Sequence, residues 1–104
     1  MKRVIDGKVY DTETADCVAG RDSGLPVNDF GWFEESLYVS QKGRWFAHGK
    51  GGAMSHYSRS TGQNQWGGGE ALRPMTDNDA LRWLEREGET DAILSRFPEQ
   101  VEEA

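Results

Sequence analysis

The clearest hydrophobic pattern in this chain is a pair of short runs in which apolar and polar residues alternate. In residues 33–40, every second side chain shares one face, which carries Glu35, Leu37 and Val39. Residues 44–48 alternate in the same way, so Trp45 and Phe46 are expected on opposite faces. Gly43 between the runs supplies the left-handed conformation that tight turns use. The pattern therefore predicts an antiparallel hairpin over residues 33–48.

The N-terminal third predicts a smaller hairpin and a short helix. Asp6 and Gly7 stand between short β-branched runs, so residues 4–10 are expected to pair around a tight turn. Residues 11–14 offer an N-cap for a helix. Apolar residues then recur at helical spacing at Ala15, Val18 and Ala19. This spacing predicts a short N-terminal helix that ends at Gly20, followed by a loop over residues 21–31.

The C-terminal third predicts a strand and two helices. Residues 71–75 fit a strand that ends near a proline. Thr76 is placed to cap a helix whose apolar stripe consists of Ala80, Leu81, Trp83 and Leu84. This helix is expected to end at Gly88, and a second helix is expected over residues 90–97, before a proline. Both helices have an apolar side that must be buried against the sheet.

These elements predict an α+β fold with a small antiparallel β-sheet of three to five strands. A short N-terminal helix and C-terminal helices packed on one face complete it. A chain of 104 residues has the usual size of one domain. Residues 1–98 are therefore predicted to form a single domain, and residues 99–104 a frayed tail.

Residues 49–69 show no periodicity and are rich in glycine. A segment of this length without secondary structure is uncommon in a small domain and is often functional. Tyr57 and Trp66 favour an ordered loop that packs on itself, with a short strand near residues 55–58.

Charge is distributed unevenly along the chain, although the net charge is −6. Four basic and eight acidic residues precede Ser36, which gives −4. Residues 36–69 contain four basic and no acidic residues, and residues 70–104 contain four basic and ten acidic ones. The low pI, near 4.8, argues against non-specific wrapping of DNA. The basic, aromatic middle segment is a candidate binding surface, and the acidic C-terminal third is another.

Composition also bears on the compartment. The single cysteine, Cys17, cannot form an internal disulfide and suits a reducing cytoplasm. We place it in the core, on the apolar side of the predicted N-terminal helix. The first residues contain no apolar segment like that of a signal peptide, and no run reaches the roughly 18 apolar residues that span a membrane. The sequence therefore predicts a cytoplasmic protein with no membrane partner.

Known catalytic and cofactor motifs do not assemble in this sequence. Gly49-Lys50 lacks the first glycine and the hydroxyl residue of a phosphate-binding loop. His48, His56 and Cys17 lack the paired spacing of a zinc site. Ser55 adjoins His56, but neighbouring residues rarely orient as a nucleophile and its base. We therefore predict no catalytic residue, no metal, no cofactor and no enzymatic activity.

Several segments resemble a group of small accessory proteins of bacterial phages and conjugative elements. The resemblance covers about residues 4–88, through residues 10–15, 35–38, 43–46, 49–55, 62–64, 67–70 and 74–75 and the helix with Trp83. It implies no catalytic residues, because the group has no settled activity. It implies instead the setting of anti-CRISPR proteins and other counter-defence inhibitors, which are small and often acidic.

Two functions follow as hypotheses. The first is a non-enzymatic counter-defence inhibitor, of the anti-CRISPR type, which binds a host protein or a CRISPR effector complex. It would use the loop 49–69 or an acidic face made of Asp77, Asp79, Glu85, Glu87 and Glu89. The alternative is a nucleic-acid-binding accessory protein, whose surface would consist of Tyr38, Lys42, Arg44, Trp45, Lys50, His56, Tyr57 and Arg59. Either could be a monomer or a homodimer.

Overall fold

Within the described residues, the fold consists of eight short strands followed by two helices. The computed structural model describes residues 1–57, 59–62 and 65–104; for residues 59–62 and 65–67 it describes the backbone alone. The strands are β1 (Lys2–Ile5), β2 (Lys8–Asp11), β3 (Asp16–Asp22), β4 (Phe33–Val39), β5 (Trp45–Gly51), β6 (Arg59–Gly62), β7 (Gln65–Gly67) and β8 (Gly69–Met75). The helices are α1 (Asp77–Arg86) and α2 (Thr90–Arg96), followed by a 3-10 turn at Pro98–Gln100. The α+β class is therefore confirmed.

A four-stranded antiparallel sheet with the order β3-β4-β5-β8 forms the centre of the molecule. The predicted hairpin is its middle pair, with Leu37 opposite Ala47 and Val39 opposite Trp45. Gly43 has φ +82° in the connecting turn, as the sequence predicted. This pair is confirmed because the alternation specified both the strands and the face that each buries.

The N-terminal hairpin is also confirmed. Strands β1 and β2 pair with Val4 opposite Val9. Asp6 and Gly7 in the turn have φ values of 51° and 75°, which is the conformation of a type I′ turn.

The predicted N-terminal helix is wrong. The chain makes a single turn, closed by a bond from Ala15 N to Asp11 O, and then enters β3, which pairs with β4. The register of β3 shifts between Cys17 and Ala19, and this bulge lets both Val18 and Ala19 pack against the core on the helix side. The segment whose apolar spacing predicted a helix is therefore a bulged strand. Cys17 is exposed on this strand, so the prediction that it lies in the core is wrong.

Helices α1 and α2 cover one face of the sheet, as predicted. Thr76 accepts a hydrogen bond from Asp79 N and Asp79 accepts one from Thr76 N, which forms a capping box. The core on this side is made of Leu37, Val39, Trp45, Ala80, Trp83, Leu84 and Phe97. Trp45 stacks on Phe97 with ring centroids 5.2 Å apart, so the second helix is held at the turn end of β4 and β5.

The N-terminal hairpin covers part of the opposite face. Tyr10 packs edge-on against Phe46, with centroids 5.4 Å apart, and both contact Leu72. Trp45 and Phe46 therefore lie on opposite faces, as the alternation predicted, and both are buried.

Residues 49–69 contain more regular structure than the sequence indicated. Strand β5 extends to Gly51, turns follow over residues 53–57, and β6 pairs with β7. The strand predicted near residues 55–58 is absent at residues 55–57, which form turns, and Ser58 lies outside the described residues. The predicted packing of Trp66 also lies outside them.

Candidate functional site

Glu35 is the one charged side chain that is buried in the described part of the chain, with 3% of its surface exposed. It lies in the middle of β4 and shares the helix-side face with Leu37 and Val39. A buried carboxylate is costly unless it is paired and hydrogen-bonded. The side chains that pair with Glu35 therefore identify the interactions that organise this part of the fold.

Four side chains from three segments converge on the Glu35 carboxylate. Trp83 in α1 donates its indole N–H to Oε1 at 2.6 Å, and the Tyr57 hydroxyl donates to Oε2. Arg21 in β3 places Nε 3.4 Å from Oε1, and His56 places Nε2 3.7 Å from Oε2. The carboxylate thus ties the loop after β5 to a helix and to the edge strand.

The Arg21 side chain joins this cluster to the surface. Its Nη1 lies 3.5 Å from a Glu87 carboxylate oxygen at the end of α1, and its guanidinium lies 5.1 Å from the centre of the Phe33 ring. Arg21 Nε forms an ion pair with Glu35 by distance, but it is not oriented for a hydrogen bond and has no other acceptor among the described residues.

The environment of Glu35 keeps it ionised. Burial by itself would raise the pKa of this carboxyl, but hydrogen bonds from Tyr57 and Trp83 and the nearby Arg21 and Arg73 guanidinium groups outweigh it and lower the pKa. Burial, followed by the bond to Glu35, raises the pKa of the Tyr57 hydroxyl well above its ordinary value of 10.0. Tyr57 therefore keeps its proton and remains a donor to the carboxylate.

The lowered pKa of Glu35 predicts a pH dependence of stability. Since the folded state lowers this pKa below the ordinary 4.5, ionised Glu35 stabilises the fold above pH 4.5, and this contribution is lost as the pH falls through the folded value. We expect the difference in unfolding free energy between the wild type and Glu35→Gln to be constant near neutral pH and to shrink in acid. Urea unfolding at several pH values measures it. A difference that grows as the pH falls would contradict the arrangement.

The loop over residues 52–57 closes over the carboxylate because Gly49 leaves room for an aromatic ring. An ideal Cβ at position 49 would overlap the Tyr57 ring and lie 2.7 Å from its Cε2 atom. Ser55 is buried in the same loop, where its hydroxyl donates to Gly52 O at 2.8 Å and accepts from Tyr57 N at 3.2 Å. The loop is thus stabilised by the hydrogen bonds of Ser55 to its backbone and by the hydrogen bond from Tyr57 to Glu35.

A second loop, over residues 23–32, is bound to the first by main-chain hydrogen bonds. Gly52 N donates to Trp32 O and Met54 N donates to Phe30 O, both at 2.7 Å. The loop is closed at its base by a bond from Ser23 N to Phe33 O at 3.1 Å. The two loops therefore form one unit at the end of the sheet where β4 begins.

This unit carries large apolar side chains that remain exposed. The exposed fractions are 44% for Leu25, 73% for Val27, 68% for Phe30 and 78% for Met54. We call these four residues the apolar end. Exposed large apolar residues on two loops that are hydrogen-bonded to each other are a candidate protein-binding surface.

Acidic residues flank the apolar end. Asp22 and Glu34 lie opposite each other where β3 leaves the sheet and β4 enters it. Glu70, at the start of β8, accepts a hydrogen bond from His48 Nε2 at 3.1 Å, and this bond lowers the pKa of Glu70. Lys50 offsets part of this charge, with Nζ 3.5 Å from Glu34. The border of the apolar end is therefore net negative.

The predicted acidic residues are spread over both ends of α1 and the start of α2. Asp77 and Asp79 lie in the first turn of α1, where they complement the helix dipole, and Asp79 also completes the capping box. Glu87 is the C-cap of α1 and pairs with Arg21, while Glu89 is the N-cap of α2. Glu85 lines a groove with Asp79, Arg73, Arg82 and Arg86, so arginines interrupt the acidic surface there.

The predicted basic and aromatic residues do not form one surface. Lys42 and Arg44 lie at the turn before β5, whereas Lys50 lies near its other end, about 20 Å away at 3.3 Å per residue. Tyr38 stacks on Phe46 on the face opposite the helices, with centroids 5.3 Å apart.

The remaining members of that set occupy three other places. Trp45 is buried on the helix side. His56 and Tyr57 contact each other and Glu35, with the His56 ring 4.6 Å from that of Phe33. Arg59 begins β6, and the prediction for its side chain lies outside the described residues.

Three features were missed in the sequence: two lie on the surface and one, the interactions of Glu35, lies in the interior. The apolar end had a signal, because Leu25, Val27 and Phe30 stand in a segment predicted as a loop, with no element to bury them. Glu35 had one too, because the alternation placed it on the apolar face. The contact between the turn at Gln41 and Lys42 and the segment that follows the N-terminal hairpin, where Gln41 donates to Thr14 O, had no signal. No sequence pattern relates these distant segments.

Comparisons with known proteins do not identify the site. Comparison of the chain with protein-family models, curated proteins and solved structures finds no significant match. Within the described residues, no three His, Cys, Asp or Glu side chains are grouped to hold a metal ion. Neither described helix is long and apolar enough to cross a lipid bilayer.

Proposed function

We propose that this protein is a non-enzymatic inhibitor that acts by binding another protein through the apolar end. The observation that carries the proposal is the exposure of Phe30 and Met54 on two loops that are hydrogen-bonded to each other. Exposing such side chains singly is ordinary, but grouping them on an ordered frame is characteristic of an interface.

The frame beneath the apolar end makes it suitable for binding. Tyr57 fixes one loop to Glu35, and the two main-chain bonds from Gly52 and Met54 fix the other loop to it. A contact surface that is ordered before binding loses less conformational entropy when the complex forms. Burial of Phe30 and Met54 in a partner would then contribute most of the binding energy.

The acidic border indicates the chemistry of the partner. Asp22, Glu34 and Glu70 lie in one row across the end of the sheet that carries the apolar end, with Lys50 between Glu34 and Glu70. The complementary surface is an apolar pocket bordered by lysine and arginine side chains. Proteins that handle nucleic acids carry such basic surfaces.

The class of target comes from the resemblance to proteins of phages and conjugative elements. On that basis the partner is a component of a bacterial defence system, with a CRISPR effector complex as the first candidate. The inhibitor would block the complex sterically, with the apolar end in a pocket and the acidic border against its basic channel. The loop 49–69, which the sequence singled out, contributes Met54 to this contact.

The geometry around Ser55 and His56 favours binding over catalysis. The Ser55 hydroxyl donates to Gly52 O, within its own loop, and is buried. Both oxygens of Glu35 accept hydrogen bonds inside the fold. A nucleophile must be free to reach a substrate and a general base must be free to accept a proton.

Charged substitutions in the apolar end are expected to abolish partner binding. The protein is tagged and used to capture its partner from nuclease-treated lysate of bacteria with an active CRISPR system, and binding is then measured with the purified partner. Phe30→Asp with Met54→Asp should weaken binding at least about 30-fold, since each removes a buried apolar contact worth about 1–2 kcal/mol.

The chain offers a matched control for this variant. Val4 and Val9 are exposed on the N-terminal hairpin, so Val4→Asp with Val9→Asp introduces the same charge on another surface. The control should bind like the wild type. Equal binding by the Phe30 and Met54 variant would reject the apolar end as the contact, and recovery of a second copy of this chain alone would reject a host partner. A loss with Asp77→Lys and Glu89→Lys alone would move the contact to the acidic helix surface.

A further inference from the structure

A cleft lies between the N-terminal hairpin and the turn that joins β4 to β5. Its volume is about 560 Å³, and four of its lining residues are cations: Lys2, Lys8, Lys42 and Arg44. Two of these cations come from the start of the chain, which is acidic when charge is counted along the sequence, and two come from the basic middle segment. The fold therefore concentrates positive charge at a place where neither segment does so alone.

Direct contacts hold the two walls of the cleft together. Gln41 in the β4–β5 turn donates its amide N–H to Thr14 O at 3.1 Å. The Met1 ammonium donates a hydrogen bond to Thr12 Oγ1, and Thr12 N donates one to Met1 O. These bonds join the start of β1 to the end of β2. The hairpin is further packed on the sheet through Tyr10 and Phe46. The spacing of the cations is thus set by the fold.

The charge in the cleft is only partly neutralised. Asp11 is the acidic residue in its lining, and it lies 3.7 Å from Lys2 Nζ. In the part of the chain that the structure describes, Lys8, Lys42 and Arg44 have no carboxylate within ion-pair distance. Three cations around one open cleft are available to an anionic ligand.

We propose that this cleft binds the phosphodiester backbone of a single-stranded nucleic acid. Phosphate oxygens are contacted in proteins by Lys and Arg together with hydroxyl and amide groups, and Thr14, Ser40 and Gln41 supply those groups in the lining. The site is new relative to the sequence expectation, because it combines Lys42 and Arg44 with lysines of the hairpin.

The net negative charge of the protein favours a single strand over a duplex. A duplex is stiff and carries about one charge per 1.7 Å of its axis, so it would bring many phosphates towards the acidic parts of a protein with net charge −6. A flexible strand can place two or three phosphates in the cleft and turn away. At about 0.1 M salt the Debye length is about 10 Å, so the distant acids are largely screened from the cleft.

This proposal is independent of the apolar end. The cleft lies at the turn end of β4, and the apolar end lies where β4 begins, about 20 Å away for seven residues at 3.3 Å each. Variants in one site leave the other unchanged, so either proposal can fail alone. If both hold, the protein can contact a partner protein and an exposed nucleic-acid strand at the same time.

Binding of a labelled 15-nucleotide deoxythymidine strand, measured by fluorescence anisotropy in 50 mM salt, tests the cleft. Lys42→Glu with Arg44→Glu should weaken binding at least tenfold, and so should Lys2→Glu with Lys8→Glu from the other wall. The logarithm of the binding constant should fall with the logarithm of salt concentration with a slope of about −1.4 to −2.1, because each of the two or three phosphate contacts contributes about −0.7 for single strands.

Lys50→Glu provides the matched control, because Lys50 lies outside the cleft and is paired with Glu34. It should bind the strand within about twofold of the wild type. All substituted positions are at the surface, and thermal unfolding of each variant checks that the fold is retained.

Four results would overturn the proposal. One is no binding of the strand by the wild type in 50 mM salt, and another is equal loss in the Lys50→Glu control. The third is displacement of the strand by a polyglutamate peptide at the same concentration of charge, which would assign the cleft to acidic peptides. An inorganic phosphate arm separates the sources of phosphate: displacement only at high millimolar concentration supports a strand, whereas displacement at micromolar concentration would identify a site for the free ion.

Discussion

Replacing Glu35 by alanine is expected to lower the free energy of unfolding by about 3–5 kcal/mol, the usual cost of breaking a buried ion pair by removing one partner. The substitution leaves the Trp83 indole N–H and the Tyr57 hydroxyl without their acceptor. It also leaves the Arg21 guanidinium without the carboxylate 3.4 Å away. Urea unfolding followed by tryptophan fluorescence measures the change.

The neighbouring residue provides the control. Glu34→Ala removes an identical side chain one position away, but Glu34 is exposed on the opposite face and its described partner is Lys50. Exposed ion pairs contribute little, so we expect a change of no more than about 0.5 kcal/mol. Equal effects of the two substitutions would show that Glu35 is not the organising residue of this face.

A methyl group at position 49 is expected to displace the loop that carries Tyr57. Gly49→Ala places Cβ in overlap with the hydroxyl-bearing edge of the Tyr57 ring, so the ring must move and its hydrogen bond to Glu35 must break. Overpacking and the loss of a bond to a buried charge together should destabilise the protein by about 2–4 kcal/mol. The same measurement in a Tyr57→Ala background should give a cost below about 1 kcal/mol, because the space is then empty.

Gly20→Ala is the matched control for this prediction. Gly20 also lies in a strand of the central sheet, but an added Cβ would meet its nearest neighbours at 3.5 Å, which is ordinary contact. It should change stability by less than about 0.5 kcal/mol. If Gly49→Ala is as mild as Gly20→Ala, or costs as much without Tyr57 as with it, Tyr57 does not lie on Gly49.

Elements that bury one regular face could be predicted from the sequence. The β4–β5 hairpin followed from alternation, and α1 followed from the cap at Thr76 and its apolar stripe. Strand β3 could not, because the bulge between Cys17 and Ala19 gives a strand the apolar spacing of a helix. Whether such a segment forms a strand or a helix depends on its pairing with a neighbouring strand. Local propensity does not contain that information.

The candidate surfaces were less predictable, for a related reason. Counting charge along the chain assigned Lys2 and Lys8 to an acidic segment, whereas the fold places them beside Lys42 and Arg44. The sequence singled out residues 49–69, but Met54 in that segment is hydrogen-bonded through its backbone to Phe30, in a loop that precedes β4. Surfaces of this kind depend on contacts between segments that no periodicity relates.

Site-specific photo-crosslinking in cells can show whether the apolar end is the surface that contacts the partner protein. A photo-reactive amino acid is placed in turn at Met54, Val9, Asp77 and Lys42, which represent the apolar end, the hairpin, the acidic helix surface and the cleft. We expect a crosslink from position 54 to one identified host protein, and no crosslink to that protein from the other three. A crosslink to the host protein from position 77 or 9, with none from position 54, would contradict it.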